Sequence, residues 1–146
     1  MERPPDGPAA ARTLGPDDVE LVVVPRERYG PTLECLRAVL ATVPAGVRVT
    51  LVRGGMPDRM VGEVRALQGG RVSVTGPARH LAPNAARSIG LRAATARYVV
   101  FIDNDVEPGA GWLEALVRTA EARDAWVVRP LVLQRIGTEV CVHESG

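Results

Sequence analysis

The sequence predicts an α/β fold built on a mostly parallel sheet. Short apolar runs of strand length alternate with stretches whose apolar residues recur every three or four positions, the order that βαβ units produce. The run LVVV at 21–24 is nearly continuous, as in a strand covered on both faces, and YVVFI at 98–102 is of strand length. No run approaches the roughly 20 apolar residues of a membrane-spanning helix. The 46% hydrophobic content therefore reads as the core of a chain of 146 residues.

Residues 1–17 are rich in Pro, Ala, Gly and Arg and show no periodicity, so they are expected to form a flexible leader, with 18–146 as the domain. Residues 19–25 (VELVVVP) form the first predicted strand, ended by proline. In 31–43, Leu33, Leu36, Leu40 and Val43 fall on one helical face, and Pro31 suits a first helical residue. Residues 47–52 (VRVTLV) are the second strand and 53–57 a glycine-containing loop. Residues 58–68 carry Met60, Val61, Val64 and Leu67 at helical spacing, and Gly69-Gly70 ends them. A third strand is expected at 71–75, an Ala-rich helix at 83–96 and a fourth strand at 97–103. A helix at 111–123 and a fifth strand at 125–133 follow, and 140–142 could begin another.

Composition excludes several chemistries. The 18 basic residues, against 17 acidic ones, give a net charge of +1 and no excess for a nucleic-acid backbone. All are Arg, which suits a GC-rich coding bias, so neither a Schiff-base nor a phosphate-loop lysine is available. Cys35 and Cys141 make no disulfide framework, and with His80 and His143 they form no zinc pattern. A reduced, cytoplasmic setting is the simplest expectation. No G-x-G-x-x-G follows the first strand, and Ser88 has no nucleophile elbow. Cys35 reads as a small core residue, His80 as a solvated loop residue, and Trp112 and Trp126 as core or interface aromatics.

The carboxyl ends of parallel strands are where ligands bind, which singles out the loops at 25–30, 53–57, 76–83 and 103–108. The last opens Phe101-Ile102-Asp103-Asn104-Asp105. In an extended chain residues i and i+2 point to one side, so Asp103 and Asp105 could converge on a hard cation, Mg²⁺ or Mn²⁺. Such a cation would neutralise a diphosphate as it leaves. The bland alternative is an Asp-rich turn that caps the next helix.

Three stretches together resemble family 2 glycosyltransferases of the GT-A fold. They are LVVVP at 21–25, the helix NAARSIGLRAA at 84–94, and YVVFIDNDVEP at 98–108 followed by Trp112-Leu113. The second is similar to the family's A-R-N-x-G-L-x-x-A helix, and the third to Y-x-x-F-L-D-x-D-x-x-P with W-L. The resemblance implies a nucleotide-diphospho-sugar-binding fold and inverting, metal-dependent transfer of a sugar to an unknown acceptor. It places Asp103 near the ribose and metal, Asp105 on the metal, Arg87 in the nucleotide-sugar pocket and Pro25 beside the base. Tyr29 would stack on the base or stand as a partnerless loop tyrosine.

Two departures stand beside it. The family's acidic V-D-D-G-S turn is here Val52-Arg53-Gly54-Gly55-Met56, where Arg53 would meet phosphate, an acidic group or solvent; the Asn of A-R-N is Ser88. The family's catalytic base lies in an acceptor-binding half beyond the acidic pair, and Asp124, Glu139 and Glu144 match no base motif, so no catalytic residue is assigned. The expectation is a fold truncated in its C-terminal half. A partner chain could complete the site. The alternative is a non-catalytic remnant or a nucleotide-sugar-binding module.

Overall fold

A computed structural model describes residues 14–26 and 28–143. Four parallel strands form the sheet: β1 (Val19–Val24), β2 (Arg48–Val52), β3 (Val72–Thr75) and β4 (Tyr98–Asp103), in the order β3-β2-β1-β4. Helices α1 (Thr32–Thr42), α2 (Asp58–Ala66) and α3 (Pro83–Ala93) make the crossovers. This is an α/β fold consistent with the GT-A-like fold that the resemblance implies, and each of these elements falls where periodicity puts it, within a few residues at the ends.

β1 lies inside the sheet, and all six of its residues are buried. Burying a side chain such as those of Leu21 to Val24 contributes roughly 1.5–3 kcal/mol, so β1 anchors the core. Its composition follows from that position, since only an apolar run can be covered on both faces.

α3 approaches the sheet closely because of one residue. A Cβ on Gly90 would stand 2.2 Å from Val22 Cγ1, so only hydrogen fits between helix and strand. Ala86 packs beside it, in a cluster with Val22, Val24, Val52 and Leu81.

Winding runs from β1 outward to β2 and β3, then returns past β1 to β4. That reversal makes a topological switch point, and the carboxyl ends of β1 and β4 flank the crevice where such sheets bind ligands.

At the opposite, amino end of the same sheet face, Glu20 is buried yet fully partnered. Its carboxylate accepts from Arg48 Nε at 3.3 Å, Thr50 Oγ1 at 3.1 Å and the Thr95 backbone N–H at 3.4 Å. A cavity of about 310 Å³ adjoins it, lined also by Ser73, Thr75 and Ala93.

Two expectations change. Residues 14–17, placed in the leader, are packed: Leu14 is buried, and the Asp17 carbonyl accepts the Arg97 N–H at 3.0 Å. Residues 1–13 lie outside the described residues. The fifth strand at 125–133 does not form; 125–132 carry no regular structure. Apolar composition suits a strand, but a strand exists only where a ladder partner accepts it.

The chain divides into two compact units, one ending at Ala110 and one starting at Gly111. The second contains α4 (Trp112–Arg123), closed by Asp124 in a left-handed conformation, and an antiparallel hairpin of β5 (Leu133–Ile136) and β6 (Glu139–Val142). Trp126, read as a core or interface aromatic, is fully exposed, so it is not a core residue. Among the described residues no helix is long and apolar enough to cross a membrane.

Candidate functional site

The crevice between β1 and β4 gathers charge. Asp103 is the last residue of β4, in register with Val24 at the end of β1. Arg87, one turn into α3, donates from Nη2 to Asp103 Oδ1 at 3.1 Å, while its Nη1 donates to Asn84 Oδ1 at 3.2 Å. Arg26, just past β1, donates from Nη1 to Asp103 Oδ2 at 3.4 Å. Both oxygens of Asp103 therefore face a guanidinium. The side chains are between 30% and 42% exposed, so each pair adds only about 0.2–1 kcal/mol to stability. Arrangement is the larger consequence: two cations stand at the mouth of the crevice.

β4 stops at Asp103, and Asn104-Asp105 form a turn closed by the Val106 N–H on the Asp103 carbonyl at 3.4 Å. The extended-chain premise for Asp103 and Asp105 facing one side thus does not apply. Asp105 is exposed and forms no hydrogen bond or ion pair with the described residues. Among the described residues no three His, Cys, Asp or Glu side chains group to hold a metal. Mg²⁺ can nevertheless bind through one or two carboxylates plus substrate phosphates and water. The oxygen donors of Asp105 and Asp103 suit that shared mode and not an all-protein cage.

Cys35 lies directly beneath this turn. Its buried thiol donates to the Asp103 carbonyl at 3.5 Å. Burial pushes the thiol up from 9.0 to about 11, with Asp105 and Asp103 adding to the rise and a backbone hydrogen bond from Val106 opposing it. The turn is open above and dry below.

Next to the crevice, the β1 and β2 loops interlock. Gly54, at φ +54°, presses on buried Pro25, where an added Cβ would come within 2.6 Å of Cγ. Gly55, at φ +90°, leaves no room for a Cβ beside the Arg79–His80 backbone. The Tyr29 hydroxyl donates to the Gly54 carbonyl, so Tyr29 is a partnered loop tyrosine. Arg53 meets an acidic group at the start of α2: Nη2 donates to Asp58 Oδ1 at 2.6 Å, and Nε donates to the Met56 carbonyl. Its guanidinium closes the turn into α2. His80 is exposed in the neighbouring loop, as expected.

The structure thus brings Arg87 to Asp103 and Tyr29 and Pro25 to Gly54. Asp124 and Glu139 belong to the second unit, and Glu144 lies outside the described residues. Two residues of the crevice escape sequence reasoning. Arg26 is one of 18 basic residues, distinguished only by following the strand-ending proline. Asn104 occupies the variable position of an Asp-x-Asp pattern and is nevertheless completely buried.

A stretch of 35 residues is 54% identical to a "Pre-mycofactocin glycosyltransferase" of Mycobacterium tuberculosis, found in two strains; it covers 24% of this chain and 7% of that protein. Residues 21–139, from the first strand to the hairpin, match the profile described as "Glycosyl transferase family 2". A match that takes in every element around the crevice settles the affiliation: the chain belongs to glycosyl transferase family 2.

Proposed function

We propose that this chain carries the donor site of a glycosyltransferase that moves a sugar from a nucleotide-diphospho-sugar to an acceptor hydroxyl, with inversion and a divalent cation. The observation that carries the reading is the cluster at the switch point: Arg26 and Arg87 on Asp103, with Asp105, which has no partner among the described residues, beside them. Two guanidiniums and one unpaired carboxylate suit a diphosphate held partly by arginine and partly through a shared cation.

In this reading the acceptor oxygen attacks the anomeric carbon from the face opposite the diphosphate. The carbon–oxygen bond to the diphosphate breaks, and the electron pair leaves with the nucleoside diphosphate. Arg26 and Arg87 face the charge that develops there, in a site prepared before reaction. A cation held by Asp105 and Asp103 would supply further neutralisation of that charge. The acceptor's proton passes to a base outside this cluster, because Asp103 is arginine-bound and Asp105 is assigned to the cation. Pro25 and Tyr29 would border the base, with Tyr29 positioned through its hydroxyl and not free to rotate.

Calorimetry of the full chain against a panel of nucleotide sugars, with and without Mn²⁺, tests this. The expected result is cation-dependent binding, weakened at least tenfold in Asp105→Ala. No binding, or binding equal in Asp105→Ala, overturns the donor site. Transfer is then tested by a glycosylated product; pre-mycofactocin, after which the similar Mycobacterium tuberculosis protein is named, is the first acceptor to try.

A further inference from the structure

Asn104 separates the two aspartates, and it is the one member of the triplet sealed from solvent, at 0% exposed. A buried side-chain amide needs an acceptor and donors matched to its own groups. Here all are matched. Oδ1 accepts the Arg26 backbone N–H at 2.8 Å. Nδ2 donates to the Arg28 carbonyl at 2.8 Å and to Thr32 Oγ1 at 2.7 Å. Its own backbone N–H donates to the Val24 carbonyl at 3.1 Å. The partners also fix which way the amide points, since an N–H of Arg26 must meet oxygen and a carbonyl of Arg28 must meet N–H.

These bonds join the acidic turn to the loop after β1. That loop carries Arg26 to Asp103 and Tyr29 to Gly54. The described residues of the loop before α1 form no strand or helix, so their shape depends on such anchors. Asn104 grips the backbone at Arg26 and again at Arg28, through one acceptor and one donor. Aspartate lacks the donor and alanine lacks both. Serine and leucine cannot span both anchors with the required groups.

The geometry points to Asn104 as a positioning residue of the donor site: a buried latch that holds the β1 loop and the acidic turn in one binding-ready shape. It touches no substrate; it acts through Arg26 and Tyr29. The inference rests on the donor reading given above and deepens it, because a site ordered in advance binds without first having to order its loop. Without the latch, that ordering is charged to each binding event, and the nucleotide is held at least tenfold more weakly.

Two measurements on the full chain test it. The first needs no ligand: amide hydrogen exchange at Arg26. Asn104→Ala is expected to speed it at least tenfold, and an unchanged rate overturns the latch. The second is the Kd of nucleoside diphosphates with Mn²⁺, read well below the melting temperature of each variant. Asn104→Ala is expected to raise Kd tenfold or more. Asn104→Asp, which keeps an oxygen for Arg26 but cannot donate to Arg28, is expected to fall between; it also replaces Asn104→Ala should that variant not fold. A folded variant with wild-type Kd shows a purely structural residue and overturns the proposal. A wild-type chain that binds no nucleoside diphosphate overturns the donor reading itself, and the positioning role with it.

Discussion

Two carboxylates on one face of the sheet are held by arginine, Glu20 at the amino ends of the strands and Asp103 at the carboxyl ends, and they differ in what surrounds them. The Glu20 side chain is 5% exposed and takes three donors, from Arg48, Thr50 and Thr95. The Asp103 side chain is 30% exposed and takes two, both long arginine side chains that solvent also reaches. A buried carboxylate saturated with donors serves the fold, since losing a donor strands its charge. A half-wet cluster at a switch point contributes little to the fold and is free to exchange its contacts for a ligand's. On the donor-site reading proposed above, the same residue types thus mark a structural end and a binding end.

α3 serves both ends, because Arg87 near its start reaches Asp103 and Thr95 just past its end reaches Glu20. The largest effect is therefore expected at Gly90, where the helix meets the sheet. In Gly90→Ala the new methyl would sit 2.2 Å from Val22 Cγ1. Alanine's helix propensity returns about 1 kcal/mol, but overpacking of a tight core costs roughly 1–3 kcal/mol and occasionally more. A contact this short belongs at the upper end, so a net loss of about 2 kcal/mol or more is expected in chemical denaturation. Both ends should loosen together. A Gly90→Ala chain of undiminished stability would show that α3 sits farther from β1.

Glu20→Ala separates the two ends. It leaves Thr50, 6% exposed, and the Thr95 N–H without their acceptor. Arg48, 43% exposed, turns to water. A loss of about 2 kcal/mol is expected, with nucleotide-sugar affinity unchanged below the melt. Weakened binding in the folded variant would erase the distinction between the ends.

How far the sequence shows this layout depends on the distance over which each signal acts. Strands and helices of the sheet are local patterns, and LVVV or YVVFI is readable without knowing its neighbours. The stretch at 125–132 (AWVVRPLV) is also mostly apolar but forms no strand: Pro130 has no N–H to donate to a ladder, and a ladder partner is not a local property. Arg87 and Asp103 are legible through a motif, and their contact follows from the return of β4 past β1. Asn104 and Arg26 are not legible, because burial of the one and reach of the other arise only when residues 77 or 78 positions apart meet. Arg53 looked available to phosphate; only the fold shows it spent on Asp58.

Arg87→Ala tests the binding end. Its pair with Asp103 is half-exposed, so stability should change by less than about 1 kcal/mol. Donor affinity is expected to fall about tenfold, which corresponds to about 1.4 kcal/mol. Calorimetry and a thermal melt on the same sample check both. A large stability loss with intact affinity would make this end structural as well.

The smallest effect probes the floor of the binding end, the Cys35 thiol beneath Asp103. Its folded value is about 11 against an ordinary 9.0. The fold therefore prefers the protonated thiol. Below pH 9 both states keep the proton, and this group gives stability no pH dependence. Between pH 9 and 11 the unfolded chain loses the proton first, so stability falls as pH rises, by about 1 kcal/mol at pH 10. Cys35→Ala removes that alkaline loss, whatever its baseline. Denaturant melts of both chains at pH 8 and pH 10 measure it as a difference of differences. Equal losses in the two would mean that water reaches the thiol, and the binding end would then be wet on both sides of its acidic turn.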